Sequence, residues 1–260
     1  MSRAALRQYL ALSRRAVLNT VRKPTSIIPS LTFPLLFLAL SSAAFEESTR
    51  LPGFPAVDSF LQFVVATTII QGSLFGSVAA GSDMATDIEG GFFDRLVSSP
   101  VARTSILVGR VMGSAALGFT QAWLYLGITS LFGLEVEGGL LGMLMIAVVA
   151  AVLASGVGAV SVAFALRTGS TEAVQGSFPM LFAGLFLSSA FFPRTLMDGW
   201  FKTVATANPL SHLIEGLRWQ VIEGVGPTEF LTALGVALGI FVVGVGAASL
   251  ALRGRLTVHA

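Results

Sequence analysis

Charged side chains are scarce in this 260-residue chain, yet six of them fall within one stretch of twenty-one residues, "DMATDIEGGFFDRLVSSPVAR". They are Asp83, Asp87, Glu89, Asp94, Arg95 and Arg103. Two of the most apolar runs in the chain flank this stretch. Charges so placed are typical of a surface that a soluble partner contacts, or of a solvated loop, and the residues alone leave both readings open.

The chain offers no clear arrangement of side chains for catalysis or metal binding. It has no cysteine, which excludes disulfides and cysteine-based metal or nucleophile sites. Ser155 and His212 are the only pair that resembles a serine–histidine dyad, and close helix packing explains the serine of "LASGVG" better. His212 and His259 have no neighbours that would complete a metal site. We therefore predict no catalytic residue and no metal site.

A phosphate-binding P-loop is also excluded. The two lysines, Lys23 and Lys202, follow Arg22 and Phe201, whereas the lysine of a P-loop follows a glycine in G-x-x-x-x-G-K-[ST]. If the chain takes part in an ATP-driven process, another subunit must therefore hydrolyse the ATP.

The composition indicates an all-α integral membrane protein. Hydrophobic residues make up 54% and charged residues 12% of the chain, and its mean hydropathy is +0.81. A soluble domain carries about 25% charged residues. No polar linker divides the chain, so we predict a single domain over 1–260. Runs of about 20 apolar residues cross a bilayer, and we predict six spans, at 26–45, 59–82, 104–133, 140–166, 173–192 and 229–252.

The first 24 residues predict an amphipathic helix on the membrane surface. On a helical wheel of residues 3–23 the apolar side chains share one arc and five arginines a neighbouring one. The pair Lys23-Pro24 ends this helix. No small-residue cleavage site follows, so we expect the segment to be retained. It serves either as a simple basic anchor or as a further contact with a partner.

The distribution of basic residues predicts the orientation. With the N-terminus in the cytoplasm, 12 of the 16 lysines and arginines lie on the cytoplasmic side and 4 on the outer side. Cytoplasmic segments are enriched in these residues. We therefore expect a multi-pass protein of the plasma or inner membrane with both termini in the cytoplasm. The charged stretch at 83–103 is then cytoplasmic.

One outer segment, 193–228, is too amphiphilic to span the membrane and too apolar for a free loop. Pro193, Pro209 and Pro227 divide it into short helices, and Trp200 and Trp219 suit a membrane–water interface. We predict a re-entrant or interfacial helical hairpin that precedes the sixth span.

Apart from Arg110, near the cytoplasmic start of the third, the predicted spans hold no Asp, Glu, Lys, Arg or His in their interiors, which argues against an ion- or proton-coupled secondary transporter. Gln71 and Gln121 are the bulkiest polar side chains inside them, and Phe75 and Phe119 are aromatic candidates for an apolar path. These four are possible substrate-pathway residues. The glutamines could equally bond across helices, and the phenylalanines could face lipid or the protein core.

Two regions of the sequence resemble the type-2 ABC exporter permeases, which include the daunorubicin-resistance-like permeases. The first is "IEGGFFDRLVSSPVARTSILVGRV", which is similar to the family pattern in its Glu, Gly, Leu, Ser-Pro, Arg and Gly-Arg positions. The second, "FPMLFAGLFLSSAFFP" with "GWFKTVATANPLSHLIEGLR", resembles the fifth span and outer helices. The chain departs from many members at Ile88, where they have an acidic residue, and at Gly91, where they have threonine.

The resemblance implies a half-transporter in which two permeases, identical or related, join two separate ATP-binding subunits. A cytoplasmic coupling helix would lie between spans 2 and 3. The residues implied at the ATPase-coupling interface are Glu89, Gly90, Gly91, Asp94, Arg95, Pro100 and Arg103. Those implied at an outer gate are Phe192, Pro193, Asn208, Pro209, Glu215 and Arg218. ATP and Mg would be used by the partner subunit, and this chain would bind no cofactor and no nucleic acid.

The predicted function is the permease subunit of an ATP-driven exporter for an apolar or amphipathic substrate such as a drug, lipid or glycolipid. A non-transporting membrane scaffold or assembly protein is the first alternative, and a secondary transporter is the second. The sequence leaves the cargo, the choice between homodimer and heterodimer, and an import direction open.

Overall fold

The computed structural model describes residues 24–98 and 103–258. These residues form helices and connecting loops, with no strand among them. The α-helices are α1 (Pro24–Phe45), α2 (Phe60–Glu89), α3 (Phe92–Val97), α4 (Arg103–Ser130), α5 (Gly139–Thr168), α6 (Thr171–Gly176), α7 (Phe178–Phe186), α8 (Gly199–Ala207), α9 (Pro209–Ile222) and α10 (Pro227–Val258). Two short 3₁₀ helices cover Glu46–Arg50 and Arg194–Leu196.

Four of the helices are long and apolar enough to cross a membrane, which confirms the prediction of an all-α integral membrane protein. Within the described part of the chain they are Phe60–Glu89, Thr104–Ser130, Gly139–Thr168 and Pro227–Leu256. A helix of 30 residues is about 45 Å long, more than the roughly 30 Å of the hydrocarbon core. These helices overlap the second, third, fourth and sixth predicted spans, and α1 overlaps the first.

The fifth predicted span, 173–192, is not a single helix. Helix α6 ends at Gly176 and α7 begins at Phe178, with Pro179 in its first turn. Proline has no N–H to donate to the preceding turn. The Ser177 N–H bonds to the Val174 carbonyl, and Met180 N–H bonds to the Ser177 carbonyl, which are shorter-range bonds than those of an α-helix. The backbone then turns again directly after Phe186.

Helix α5 is at the centre of the bundle, where it packs against α2, α4 and α10. Its contact with α10 depends on glycine. A Cβ on Gly156 would lie 2.7 Å from the Phe241 backbone nitrogen, and a Cβ on Gly244 would press on the Gly156 carbonyl. The two backbones therefore touch directly, as small residues permit between membrane helices.

The bundle has two ends, defined here by the termini of α2. The α3 end contains the C-terminus of α2, helices α3 and α6, and the last turns of α5 and α10. The α9 end contains residues 46–59 and 131–138 and helices α8 and α9. The Thr195 hydroxyl donates to the Gly53 carbonyl there (2.7 Å), and Glu137 N–H donates to the Val221 carbonyl (3.0 Å).

Candidate functional site

At the α3 end, two glycines redirect the chain from α2 into α3. Gly90 follows the last residue of α2, and its N–H bonds to the Thr86 carbonyl (2.9 Å). Gly91 has φ +66°, in the left-handed region that glycine adopts without the steric cost of a Cβ. Its N–H bonds to the Ile88 carbonyl (3.0 Å). The sequence therefore makes a tight turn that lays α3 across the end of the bundle.

Helix α3 has one buried side chain and a charged outer face. Phe93 is 2% exposed and belongs to an apolar cluster formed by several helices. Among its members are Met84, Leu166, Val174 and Leu252, from α2, α5, α6 and α10. Asp94 and Arg95 are exposed. A six-residue helix that is anchored on one face and charged on the other suits contact with a second protein.

Glu89 has an intramolecular partner, which sequence reasoning did not anticipate. One carboxylate oxygen accepts from the Thr171 backbone N–H (2.8 Å) and the other from the Thr171 hydroxyl (3.2 Å). The contact joins the last residue of α2 to the first residue of α6, 82 positions apart. The carboxylate is nevertheless still exposed. Glu89 therefore links two elements of the chain and also faces the surface.

Arg255, near the end of α10, contacts both α5 and α3 at this end of the bundle. Its guanidinium donates to the Leu166 carbonyl in the last turn of α5 (2.9 Å) and lies 5.8 Å from the centroid of the Phe93 ring. Cationic groups are favourable near the carbonyls of a helix C-terminus. The ends of α5 and α10 are thus tied together beside α3.

Sequence reasoning missed an ionic cluster between α2 and α4. Arg110 forms ion pairs with Asp83 (3.5 Å) and Asp87, and it also donates to the Asp83 carbonyl (3.2 Å). The Arg110 side chain is only 10% exposed. The signal was present, since Asp83 and Asp87 are four residues apart and share a helix face, but nothing in the sequence paired them with Arg110.

Parts of the predicted coupling region lie outside the described residues. These are Pro100 and residues 1–23 of the predicted amphipathic segment at 1–24. Pro24 is the first residue of α1. Arg103 begins α4, and its side chain is likewise outside the description.

The two glutamines predicted along a substrate path are both buried, but they differ in their bonds. Gln121 donates to the Ser30 hydroxyl (3.0 Å), so it joins α4 to α1. Gln71 is 1% exposed, and neither its amide nitrogen nor its amide oxygen has a hydrogen-bond partner among the described residues. A buried polar group without a partner carries a desolvation cost, which a bound polar group would relieve.

The two predicted pathway phenylalanines lie in different surroundings. Phe119 contacts Trp123 on its own helix, with centroids 6.4 Å apart. Phe75 belongs to a row of rings that runs between α1, α2 and α7, with centroid distances of 4.4 Å to Phe178 and 5.2 Å to Phe33. Further members of the row are Phe182, Phe186, Phe191 and Phe37. The structure therefore places Phe75, but not Phe119, in an aromatic row.

At the α9 end, Asn208 joins α7 to α9. Its amide nitrogen donates to the Gly184 and Leu187 carbonyls (2.7 and 2.9 Å), and its amide oxygen accepts from Leu210 N–H (2.9 Å). It is thus the N-cap of α9, followed by Pro209 at the first helical position, where no N–H is needed.

Arg218 is buried on α9 and makes three bonds to main-chain carbonyls. It donates to Phe63 (3.0 Å), Ser189 (3.1 Å) and Ala190 (3.4 Å). Its guanidinium carbon also lies 3.6 Å from the centroid of the Phe63 ring, a cation–π contact. Burial lowers the pKa of Arg218 to about 9, and the nearby Glu215 carboxylate partly opposes this shift. The side chain therefore stays charged at neutral pH.

Glu215 and Pro193, two further predicted gate residues, lie near Arg218. Glu215 forms an ion pair with Arg194. Pro193 is buried, whereas Phe192 is 38% exposed and has its ring 5.9 Å from that of Phe45. A cavity of about 480 Å³ opens beside them, between residues 53–55, residues 193–195 and one face of α9. The structure thus brings five of the six predicted gate residues, Pro193, Asn208, Pro209, Glu215 and Arg218, onto α9 or beside it.

Comparison with known proteins identifies what the chain is similar to. A family model described as "ABC-2 type transporter" matches residues 7–222. The chain is 28% identical, over 88% of its length and 80% of the relative's, to the "Daunorubicin resistance ABC transporter permease protein DrrB1" of Streptomyces coeruleorubidus. It is 24% identical, over 93% of its length and 87% of the relative's, to the "Probable doxorubicin resistance ABC transporter permease protein DrrC" of Mycobacterium tuberculosis.

Proposed function

Since the chain belongs to the ABC-2 type transporter family and is a membrane permease subunit of an ABC transporter, we propose that it exports an apolar or amphipathic substrate. The energy would come from ATP hydrolysis by a separate ATP-binding subunit. Two relatives are named for resistance to daunorubicin and doxorubicin, which supports an organic molecule as the cargo. A drug, a lipid and a glycolipid all fit the description.

The observation that carries this proposal is the arrangement of α3. Its charged residues Asp94 and Arg95 face outwards, while Phe93 is fixed inside the bundle. We assign α3 as the coupling helix that sits on the ATP-binding subunit, with Pro100, Arg103 and the segment at 1–24 alongside it. A charged face can form complementary pairs with a partner.

The contacts of α3 explain how movement of the ATPase would reach the membrane helices. Phe93 packs among α2, α5, α6 and α10, and Glu89 bonds to α6. The ion pairs of Arg110 hold the end of α2 to α4. A displacement of α3 would therefore move the ends of five helices together, rather than bend a free loop.

The orientation and assembly belong to the same proposal. The α3 end, with both termini, lies in the cytoplasm, and the α9 end lies outside, where Asn208, Glu215 and Arg218 hold an outer gate. A second copy of this chain or a related permease completes the transporter. The partner ATPase binds ATP and Mg. Between the permeases, the aromatic row that includes Phe75, together with the amide of Gln71, would line the apolar path.

Affinity purification of the tagged chain from a gentle detergent tests the proposal. We expect a P-loop ATPase to co-elute in equal amount. Reversing both charges of α3 (Asp94→Lys with Arg95→Glu) should reduce that yield, because repulsion replaces attraction at the contact. The matched control reverses the exposed Glu47–Arg50 pair at the α9 end and should leave the yield unchanged. A pure chain without ATPase, across several detergents, would favour the scaffold alternative instead.

A further inference from the structure

The cavity at the α9 end has the size of a small-molecule site. At about 480 Å³ it lies within the roughly 300–1,000 Å³ that is usual for sites of drug-sized ligands. Its walls are two loops and one face of α9, and the bond from the Thr195 hydroxyl to the Gly53 carbonyl holds the loops to each other. Its lining is mainly apolar, with Phe54, Trp219 and Ile222 contributing.

Four charged residues line this cavity, and their partners differ. Arg194 and Glu215 form an ion pair. The guanidinium of Arg218 is bonded to three carbonyls and covered by the Phe63 ring. The exposed carboxylate of Glu223 forms no ion pair within residues 24–98 and 103–258. It is the one lining charge in this set that has neither a counter-ion nor a set of carbonyl bonds.

Glu223 also stands where a carboxylate is electrostatically unfavourable. It is the C-cap residue of α9, next to carbonyls that carry the negative end of the helix dipole. A bound cation would be attracted by both the carboxylate and these carbonyls. The same position would repel an anion.

The Trp219 ring, which also lines the cavity, packs against a fixed segment of backbone at Gly226. Trp219 is 42% exposed, and its ring edge lies so close to Gly226 that a Cβ there would collide with it. Gly226 is fixed by two reciprocal bonds with the Gln220 side-chain amide (3.1 and 3.2 Å). Tryptophan is the side chain that attracts cations most strongly through its ring face.

We propose that this cavity binds an organic cation with an aromatic or other apolar body. The charge lies at Glu223 and the body lies against Trp219 and Phe54. As a resting place for exported cargo the site depends on the function proposed above, but as a binding site it does not. Binding is therefore measured on the purified chain without any ATPase.

Two ions of nearly equal size and opposite charge test the proposal, tetraphenylphosphonium and tetraphenylborate. Equilibrium dialysis in an uncharged detergent, against protein-free micelles, gives the bound amount of each. The wild-type chain should bind the cation saturably. Glu223→Gln should weaken cation binding about threefold, as expected for losing the attraction of a solvent-exposed carboxylate. Glu135→Gln, an exposed carboxylate at the same end, should have no effect.

Either of two outcomes would overturn the proposal. One is saturable binding of tetraphenylborate at least as strong as that of the cation, which would mean that Arg194 and Arg218 dominate the site. The other is an equal response of the Glu223 and Glu135 variants, which would mean general surface attraction. Trp219→Leu provides a second test in case Glu223→Gln does not fold. It should also weaken cation binding severalfold. If the chain binds the cation but co-purifies with no ATPase, the export proposal fails and the binding-site proposal stands.

Discussion

Single polar side chains join distant parts of the chain at both ends of the bundle. At the α9 end, Arg218 reaches the main chain of Phe63 in α2 and of Ser189 and Ala190 in the turn after α7. At the α3 end, the Glu89 carboxylate takes both donors of Thr171. Each side chain bridges elements that are far apart in sequence, so replacing it should change more than its own position.

Arg218→Met should destabilise the fold, because the methionine keeps much of the volume but removes the guanidinium bonds to three carbonyls, of which only Ala190 keeps another side-chain donor, the Thr67 hydroxyl (2.8 Å). We expect a loss of about 3 kcal/mol, measured as a fall in the thermal unfolding midpoint in detergent. Arg218→Lys should recover part of the loss, since an ammonium can still bond some of these carbonyls. An unchanged midpoint for the methionine variant would show that the bonds do not stabilise the fold.

Glu89→Ala and Thr171→Val should act non-additively on the ATPase activity that this chain supports in its complex. Glu89→Ala removes both bonds to Thr171, whereas Thr171→Val removes only the hydroxyl bond, so the double variant should be little worse than Glu89→Ala alone. A coupling of about 1 kcal/mol corresponds to about fivefold in rate. Glu172→Ala, an exposed acidic neighbour on α6, is the control. Strictly additive effects would mean that Glu89 acts only by touching the ATPase.

Helix α3 depends on a single buried residue for its position. It has six residues and one buried side chain, Phe93. A helix this short is not stable by itself, so its position comes from that anchor and from the Gly90-Gly91 turn. Its neighbours α2, α5, α6 and α10 define where the anchor lies.

Phe93→Ala should separate binding from coupling. Removing a buried ring costs about 3 kcal/mol, and α3 would no longer be fixed to the bundle. We expect the ATPase still to co-purify through the exposed charges, while substrate-dependent ATPase activity falls. Phe93→Leu, which keeps most of the apolar contact, should retain most of that activity. Full activity of the alanine variant would contradict the anchoring role.

The elements also show how far a sequence can be interpreted. Long apolar runs predicted α2, α4, α5 and α10 well, because hydropathy sums over many residues. The break at Ser177 was missed, although Pro179 was visible, because a proline in an apolar run can either kink a helix or start one. Contacts such as Arg110 with Asp83, or Glu89 with Thr171, depend on how helices pack. No local pattern contains that information.

At the scale of the whole molecule, the arrangement across the membrane can be tested directly because the chain has no cysteine. We expect a single cysteine at Lys202, in α8, to react with an impermeant maleimide added outside intact cells. A cysteine at Asp94, in α3, should react only after the cells are opened. Both positions are exposed in this chain, and it is produced without its ATPase partner, which would otherwise cover Asp94. Labelling of the Asp94 variant from outside would overturn the proposed orientation.

Helix α10 touches both ends of the molecule and meets α5 through bare backbone. Near one terminus Arg255 holds α5 beside Phe93, and near the other Glu229 lies against Gly226, which the Trp219 ring also contacts. Where Gly156 meets Gly244 there are no side chains to interlock, so this contact by itself would not hinder a small axial slide of α10. Such sliding is shear motion. Because α10 is one continuous helix about 48 Å long, such a slide would couple the occupancy of the cavity to the position of α3.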